Sequence, residues 1–392
     1  MQDAIPYARQ SISSEDIEAV VQVLKSDFLT QGPAVEKFET AVASLCESAH
    51  AFAFSSATTG LHVAYLALGL GPGDILWTSP NTFVATANAA LFCGASVDFV
   101  DIDPETQNMS AVALRAKLLE AEAQGRLPKI LTVVHFAGQP CEMKEIAALC
   151  RPFGIRIVED ASHAVGARYA EKPVGSCEFS DITVFSFHPV KIMTTGEGGM
   201  LLTQSPQLAK TIALLRSHGI TRDPKQIQAE NPGPWYYEQI ELGFNYRMTD
   251  IQAALGTSQM TRLKNFVKRR REIRDQYDNA FKHLPLKTSV EKPGCFSAVH
   301  LYVIRLDLER LKKNRQEIFE DLRAQKIFVN VHYIPVHLQP YYKKLGFAAG
   351  QFPAAEDYYA RAISLPMFFD LNKMQQSRVV STLSQTLETS LK

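Results

Sequence analysis

An α/β fold with a largely parallel sheet is the class this sequence predicts, and three observations carry that prediction. Short runs rich in β-branched and aromatic residues alternate with longer segments of helical period along most of the chain. A small-residue turn, Ser55-Ser56-Ala57-Thr58-Thr59-Gly60, joins the first strand-like run to the helix after it. Two chemistry-bearing residues, Asp160 and Lys191, fall just past strand-like runs, where open α/β sheets place their sites.

Taken in order, Ser13 can cap a first helix with Asp16 three residues on, and Ile17, Val20, Val21 and Leu24 form its apolar stripe. The stretch Asp27-Phe28-Leu29-Thr30-Gln31-Gly32-Pro33 breaks the pattern before a second helix marked by Val35, Phe38, Val42 and Leu45. Residues 50–54 read as the first strand, entering Ser55-Ser56-Ala57-Thr58-Thr59-Gly60. Such small residues at a helix start let N–H groups approach a phosphate, or serve as an ordinary cap. Gly69-Leu70-Gly71-Pro72-Gly73-Asp74 follows a helix and precedes a strand at 75–78. That is the reverse of a dinucleotide fingerprint, so it reads as a helix stop and turn.

Helices are then expected at 82–93, 111–121, 143–150 and 208–215, with strands at 97–100, 130–135, 156–159, 182–185 and 198–202. The proline- and aromatic-rich stretch 223–237 is a long loop. From Met248 a long helical stretch (Ile251, Leu255, Met260, Leu263, Phe266) leads into a second unit. Strands at 300–306 and 328–333, a helix at 315–322 and a closing helix at 374–391 complete it. The division expected is a large domain with an N-terminal arm at 1–255 and a smaller α+β domain at 256–392.

Composition narrows the function classes. The 392 residues carry no formal net charge, which gives no bulk attraction to nucleic acid or an anionic membrane. The run Lys268-Arg269-Arg270-Arg271 sits with Glu272 and Asp275 and reads as a solvated helix face. Six cysteines show neither C-x-x-C nor zinc spacing, so no metal is expected; Cys46 and Cys93 read as small core residues. With no charged leader and no run long enough to span a bilayer, a cytoplasmic enzyme is expected.

The chemistry centres on Lys191, which lies 31 residues after Asp160. A lysine and an acid at neighbouring strand ends suggest pyridoxal phosphate: the amine forms a Schiff base, and the carboxylate keeps the pyridine nitrogen protonated. Taken singly, Lys191 reads equally as an exposed loop lysine and Asp160 as a helix cap.

Several stretches resemble the DegT-type sugar aminotransferases, pyridoxal phosphate enzymes of fold type I. They are Leu29-Thr30-Gln31-Gly32-Pro33, Pro80-Asn81-Thr82-Phe83-Val84-Ala85-Thr86, Val158-Glu159-Asp160-Ala161 and Gly243-Phe244-Asn245-Tyr246-Arg247-Met248. The resemblance implies a mainly parallel seven-stranded sheet, Lys191 and Asp160 as the catalytic pair, and Phe83 stacked on the pyridine ring. It also implies Ala57, Thr58 and Ser186 at the phosphate, His163 over the cofactor's face or phenolic oxygen, and Asn245 reaching the cofactor of the other subunit of a homodimer.

His188-Pro189-Val190-Lys191 and the stretch 331–342 are similar to one branch, which makes UDP-4-amino-4,6-dideoxy-N-acetyl-β-L-altrosamine for pseudaminic acid. By that likeness Tyr7, Asp27, Phe28, Leu29, Thr30, His188, Val331, His332, Tyr333 and Ile334 would meet a nucleotide-sugar substrate, with L-glutamate as amino donor. Ile192-Met193 departs from the branch, which more often has a proline after the lysine.

Other classes fit less well. A sugar dehydratase of the same fold would replace Lys191, a regulator would need an added DNA-binding module, and a nicotinamide dehydrogenase would need its glycine fingerprint. A non-catalytic scaffold leaves the Asp160–Lys191 pair unexplained.

Overall fold

Seven strands form the central sheet of the computed structural model, which describes residues 4–228 and 233–392. In chain order they are β1 (His50–Phe54), β2 (Ile75–Thr78), β3 (Ser96–Phe99), β4 (Ile130–Val134), β5 (Arg156–Asp160), β6 (Ile182–Ser186) and β7 (Gly199–Thr203). Their spatial order is β1-β7-β6-β5-β4-β2-β3. The pairs among β3, β2, β4, β5 and β6 are parallel, and β7 runs antiparallel between β6 and β1. Every residue of β4, β6 and β7 is buried, the continuous apolar pattern expected of strands covered on both faces.

The parallel register aligns strand ends. Val134 pairs with Asp160, Asp160 with Val184, and Ser186 with Gly199, which also pairs with Phe54. The C-terminal ends of β1, β5 and β6 therefore meet along one edge, over which the site is built. Helices α1 (Ser14–Leu24), α2 (Pro33–Cys46), α3 (Ala57–Ala67) and α4 (Val84–Phe92) belong to this half, as does α5 (Asp250–Thr261). A three-stranded antiparallel sheet of Leu286–Thr288, Tyr302–Leu306 and Ala362–Leu365 forms the centre of the C-terminal half.

Helix α6 (Leu263–Phe281) ties the halves together. Leu263, Phe266 and Val267 pack with Phe187 and Met193 beside the large sheet, whereas Ile273, Tyr277 and Phe281 enter the core around Ile304 and Leu383. The expected single helical stretch from Met248 is two helices, interrupted at Arg262. We propose that the smaller domain spans 256–392, its start lying within α5 just ahead of the interruption at Arg262.

Three expectations fail for identifiable reasons. Ser13 and Asp16 do form a capping box, but the α1 stripe is only partly covered: Val20 and Val21 are half-buried, while Ile17 is 59% and Leu24 56% exposed. Asp16 is the buried residue instead, accepting from Gln259 Nε2 at 2.6 Å, so a polar contact decides which side of α1 meets α5. The basic run is not a uniformly solvated face. Arg270 is buried and donates to the carbonyls of Val299, His300 and Met367, while Arg271 forms a fork on Glu291.

The third is the strand expected at 328–333. Only isolated bridges occur near it, between Ile5 and Ile327 and between Asn330 and Ser364. The N-terminal arm pairs only at its start, with Phe328 N donating to Ile5 O at 2.8 Å, Asn330 exchanges both backbone bonds with Ser364, and the residues from Asn330 to Tyr333 line the site instead of continuing a ladder. The long-loop expectation at 223–237 falls in part on residues 229–232, outside the described residues; within it, Trp235 is exposed.

Candidate active site

The edge above β1, β5 and β6 opens into a cavity of about 530 Å³. Asp160, the last residue of β5, is buried at its floor, and each carboxylate oxygen accepts a hydrogen bond. Ser162 N donates to Oδ1 at 3.1 Å and Thr86 Oγ1 donates to Oδ2 at 2.6 Å. Thr82, just ahead of α4, and Thr86, in its first turn, have hydroxyls 2.8 Å from each other, and since Thr86 donates to Asp160, Thr82 supplies the proton of that contact.

Lys191 stands on the loop after β6, and that loop is pinned. Phe187 N donates to Gly198 O, while Phe187 O accepts from Thr195 N and the Thr194 hydroxyl. Gly196 supplies the left-handed turn, at φ 80°, that brings the loop back. Burial pushes the Lys191 ammonium down to about 8, while the negative charge of Asp160 acts in the opposite sense. About a tenth of the amine is thus neutral at pH 7, far more than for an ordinary lysine, as a nucleophile toward an aldehyde requires.

Next to them lies the start of α3. Ser56 caps the helix by accepting from Thr59 N, leaving the first-turn amides of Ala57 and Thr58 at the cavity wall. Gly199 is required here: a Cβ would lie 2.6 Å from Ala57 N and from the Ser56 carbonyl, so any side chain would push the helix start away from β7. Ser186 lines the same corner. A helix N-terminus with a hydroxyl suits a phosphate, and Phe83, exposed at the N-cap of α4, offers a ring face to the cavity.

Histidine and tyrosine close the far wall. His163 Nδ1 accepts from Ala137 N at 3.2 Å, and its Nε2 lies 3.1 Å from the Tyr333 hydroxyl. Burial, reinforced by Lys191 and His332, holds His163 well below the usual imidazole range. Burial likewise pushes His332 down to about 4, with Lys191 adding to it, and its Nδ1 is 2.8 Å from the Ser364 hydroxyl. Tyr7 reaches the cavity on the N-terminal arm, its carbonyl held by Met367 N; Val331 and the exposed His188 also line it.

Six expected site residues do not line this cavity: Asp27, Phe28, Leu29, Thr30, Asn245 and Ile334. The first four lie on one surface loop, where Phe28 is 53% exposed. Asp250 fixes this loop by accepting from Gly32 N and Ala34 N, and Thr30 bridges Thr249. Asn245, also exposed, bridges Ser217 on the segment that leads into Thr249. Ile334 points outward at 44% exposure.

Conversely, Thr86, Ser162, Glu197, His300 and Asn330 line the cavity without having been singled out from sequence. Thr86 carries the one signal in sequence, a hydroxyl closing the stretch 80–86 that already holds Phe83. No cluster of three or more metal-ligating side chains occurs among the described residues.

The donor set fits pyridoxal phosphate: an amine of lowered pKa, a doubly anchored carboxylate, a helix N-terminus and an aromatic face. Bound there, the cofactor supplies an aldehyde that carries an amino group and a ring that takes up electron density. Comparison with known proteins agrees. The model of the DegT/DnrJ/EryC1/StrS aminotransferase family matches residues 10–384. The spore coat polysaccharide biosynthesis protein SpsC of Bacillus subtilis is 40% identical over 367 residues, 93% of this chain and 92% of that one.

The UDP-4-amino-4,6-dideoxy-N-acetyl-β-L-altrosamine transaminase of Campylobacter jejuni is 38% identical over 386 residues, 98% of both chains. Among solved structures, Helicobacter pylori PseC, an aminotransferase involved in the biosynthesis of pseudoaminic acid, superposes with a TM-score of 0.90 at 31% identity. It covers 99% of this chain and 100% of that one. The PLP-form of Spr1654 from Streptococcus pneumoniae gives 0.90 at 28% identity, covering 100% of both. The chain belongs to the DegT/DnrJ/EryC1/StrS family and is a pyridoxal phosphate-dependent sugar aminotransferase.

Proposed function

We propose that the enzyme moves an amino group from L-glutamate to C4 of UDP-2-acetamido-2,6-dideoxy-β-L-arabino-hex-4-ulose. The product is UDP-4-amino-4,6-dideoxy-N-acetyl-β-L-altrosamine, in pseudaminic acid synthesis. The observation that carries this reading is the 38% identity to the Campylobacter transaminase across 98% of both chains. In this reading Lys191 binds the cofactor aldehyde and, once displaced by the donor, moves the proton at the donor's α-carbon. Asp160 holds the pyridine nitrogen protonated, Ala57, Thr58 and Ser186 take the phosphate, and Phe83 covers the ring.

A homodimer with shared sites, working in the cytoplasm, completes the proposal. The exposed Asp27–Thr30 loop and Asn245 lie on adjoining segments outside their own cavity, which supports their serving the site of a second copy. A second reading, amination of a different keto-sugar nucleotide, is favoured by the 40% identity to the spore coat protein. Incubation with glutamate and each of several UDP- and dTDP-linked 3-keto and 4-keto sugars, comparing kcat/KM, decides between them. Preference for the L-arabino 4-keto sugar is expected; preference for a 3-keto or thymidine-linked sugar would overturn the substrate assignment and leave the family intact.

A further inference from the structure

The two contacts of His163 fix the direction of a hydrogen bond at the reacting centre. Ala137 N–H donates to Nδ1, so Nδ1 carries the lone pair. The ring is neutral, since burial and the nearby Lys191 and His332 disfavour its charged form. Its single proton is therefore on Nε2, which faces the Tyr333 hydroxyl at 3.1 Å. Tyr333 Oη accepts that proton, and its own must point elsewhere. Among the described residues the hydroxyl has no other hydrogen-bond partner, and Tyr333 lines the cavity shared with Lys191 and Asp160.

The surroundings leave it little freedom. The Tyr333 ring is parallel to that of His163 within 23° and is flanked by Phe83 and Phe136, at 6.1 and 6.2 Å between centroids. Ala137 has a positive φ of 56°, and the Phe136 carbonyl of the same peptide group accepts from Gln139 N at 2.9 Å, so the amide that sets the tautomer is itself held in place.

We propose that Tyr333 is a hydrogen-bond donor to a ligand oxygen at the reacting centre, aimed there by His163 in its Nε2–H tautomer. Both nitrogens of His163 are already committed, so Tyr333 and not His163 presents a proton to the cavity. The acceptor is a carbonyl or phenolate oxygen. The keto oxygen of the sugar and the phenolic oxygen of the cofactor share that chemistry. The inference rests on the aminotransferase reading for its ligands, but not for the direction of the His163–Tyr333 bond.

Tyr333→Phe removes the donor and keeps the ring. With fold verified by circular dichroism, the glutamate and keto-sugar half-reactions are measured separately in single turnovers, with cofactor affinity and absorption alongside. A fall in the keto-sugar half at least about tenfold larger than in the glutamate half identifies the sugar oxygen, consistent with loss of one donor to a developing oxyanion. A displaced absorption maximum with weaker cofactor binding and parallel loss in both halves identifies the cofactor oxygen. If absorption, affinity and both half-reactions stay within twofold of the parent, the proposal is wrong.

His163→Gln retains an acceptor for Ala137 and a donor for Tyr333, whereas His163→Leu retains neither. The glutamine variant should therefore exceed the leucine variant at least about fivefold in the affected step, the scale of one ordinary hydrogen bond; equal loss overturns the relay. In ¹⁵N-histidine-labelled protein without cofactor, His163 should show a protonated Nε2 and a bare Nδ1. That spectrum needs no turnover, so it tests the hydrogen-bond direction even if the functional reading fails; the opposite tautomer would refute the proposal.

Discussion

The Thr86 hydroxyl is 2.6 Å from Asp160 Oδ2 and wholly buried, the shorter of two hydrogen bonds that hold this carboxylate at the cavity floor. A hydrogen bond to a charged group contributes about 1.5–3 kcal/mol, or roughly 10- to 100-fold in a rate that depends on it. Thr86→Val is nearly isosteric and leaves a buried carboxylate oxygen without a donor, so turnover should fall by that factor. Thr86→Ser keeps the hydroxyl and should recover most of it. Equal loss in both variants would show that packing, not the hydrogen bond, matters at this position.

Lys191 is expected to carry the cofactor. Borohydride reduction of the holoenzyme followed by peptide mapping should label this lysine, and a label on another lysine would displace it from the mechanism. Lys191→Ala should bind pyridoxal phosphate without covalent attachment and lose essentially all turnover.

The pH dependence of cofactor uptake follows from the same amine. Burial lowers its pKa to about 8, so the neutral, nucleophilic fraction grows as pH rises through 8 rather than through the ordinary lysine range. Uptake by the cofactor-free protein, monitored by absorbance, should accelerate across that window. Asp160 opposes the lowering, so Asp160→Asn should move the rise to lower pH. A rise centred at the ordinary lysine range would contradict the buried amine.

Shared sites are testable by complementation. Lys191→Ala and Asn245→Ala should each be inactive or nearly so, but a heterodimer of the two would hold one doubly altered site and one intact site. Activity should therefore reappear on mixing. Its absence, with heterodimers verified by mass, would argue that each chain completes its own site.

Arg270 makes a prediction about stability rather than chemistry. It is buried among three carbonyl acceptors, and burial lowers its pKa to about 10. Arg270→Ala would strand those carbonyls and open a cavity, at a cost of about 3–5 kcal/mol by analogy with broken buried charge contacts. The thermal midpoint should drop by several degrees or more. Lys268→Ala, at an exposed position of the same run, should change it little. A midpoint unmoved in Arg270→Ala would restore the solvated-face reading.

The sequence alone determined what local chemistry determines. The alternation of strand and helix periods, the capping box of Ser13 and Asp16, and the positions of Asp160 at the end of β5 and Lys191 past β6 were legible because each depends on neighbours within a few residues. Tertiary structure decided the rest. That Asp16 and not an apolar residue is the buried position of α1 depends on Gln259, 243 residues away along the chain, and whether Arg270 is solvated depends on carbonyls brought from 299–300 and 367. The 328–333 run pairs only at single points, with Ile5 of the arm and with Ser364, and Tyr333 beyond it meets His163, 170 residues away along the chain. Periodicity carries no record of such partners, since long-range contacts are selected by the geometry of the assembled sheets rather than by local pattern.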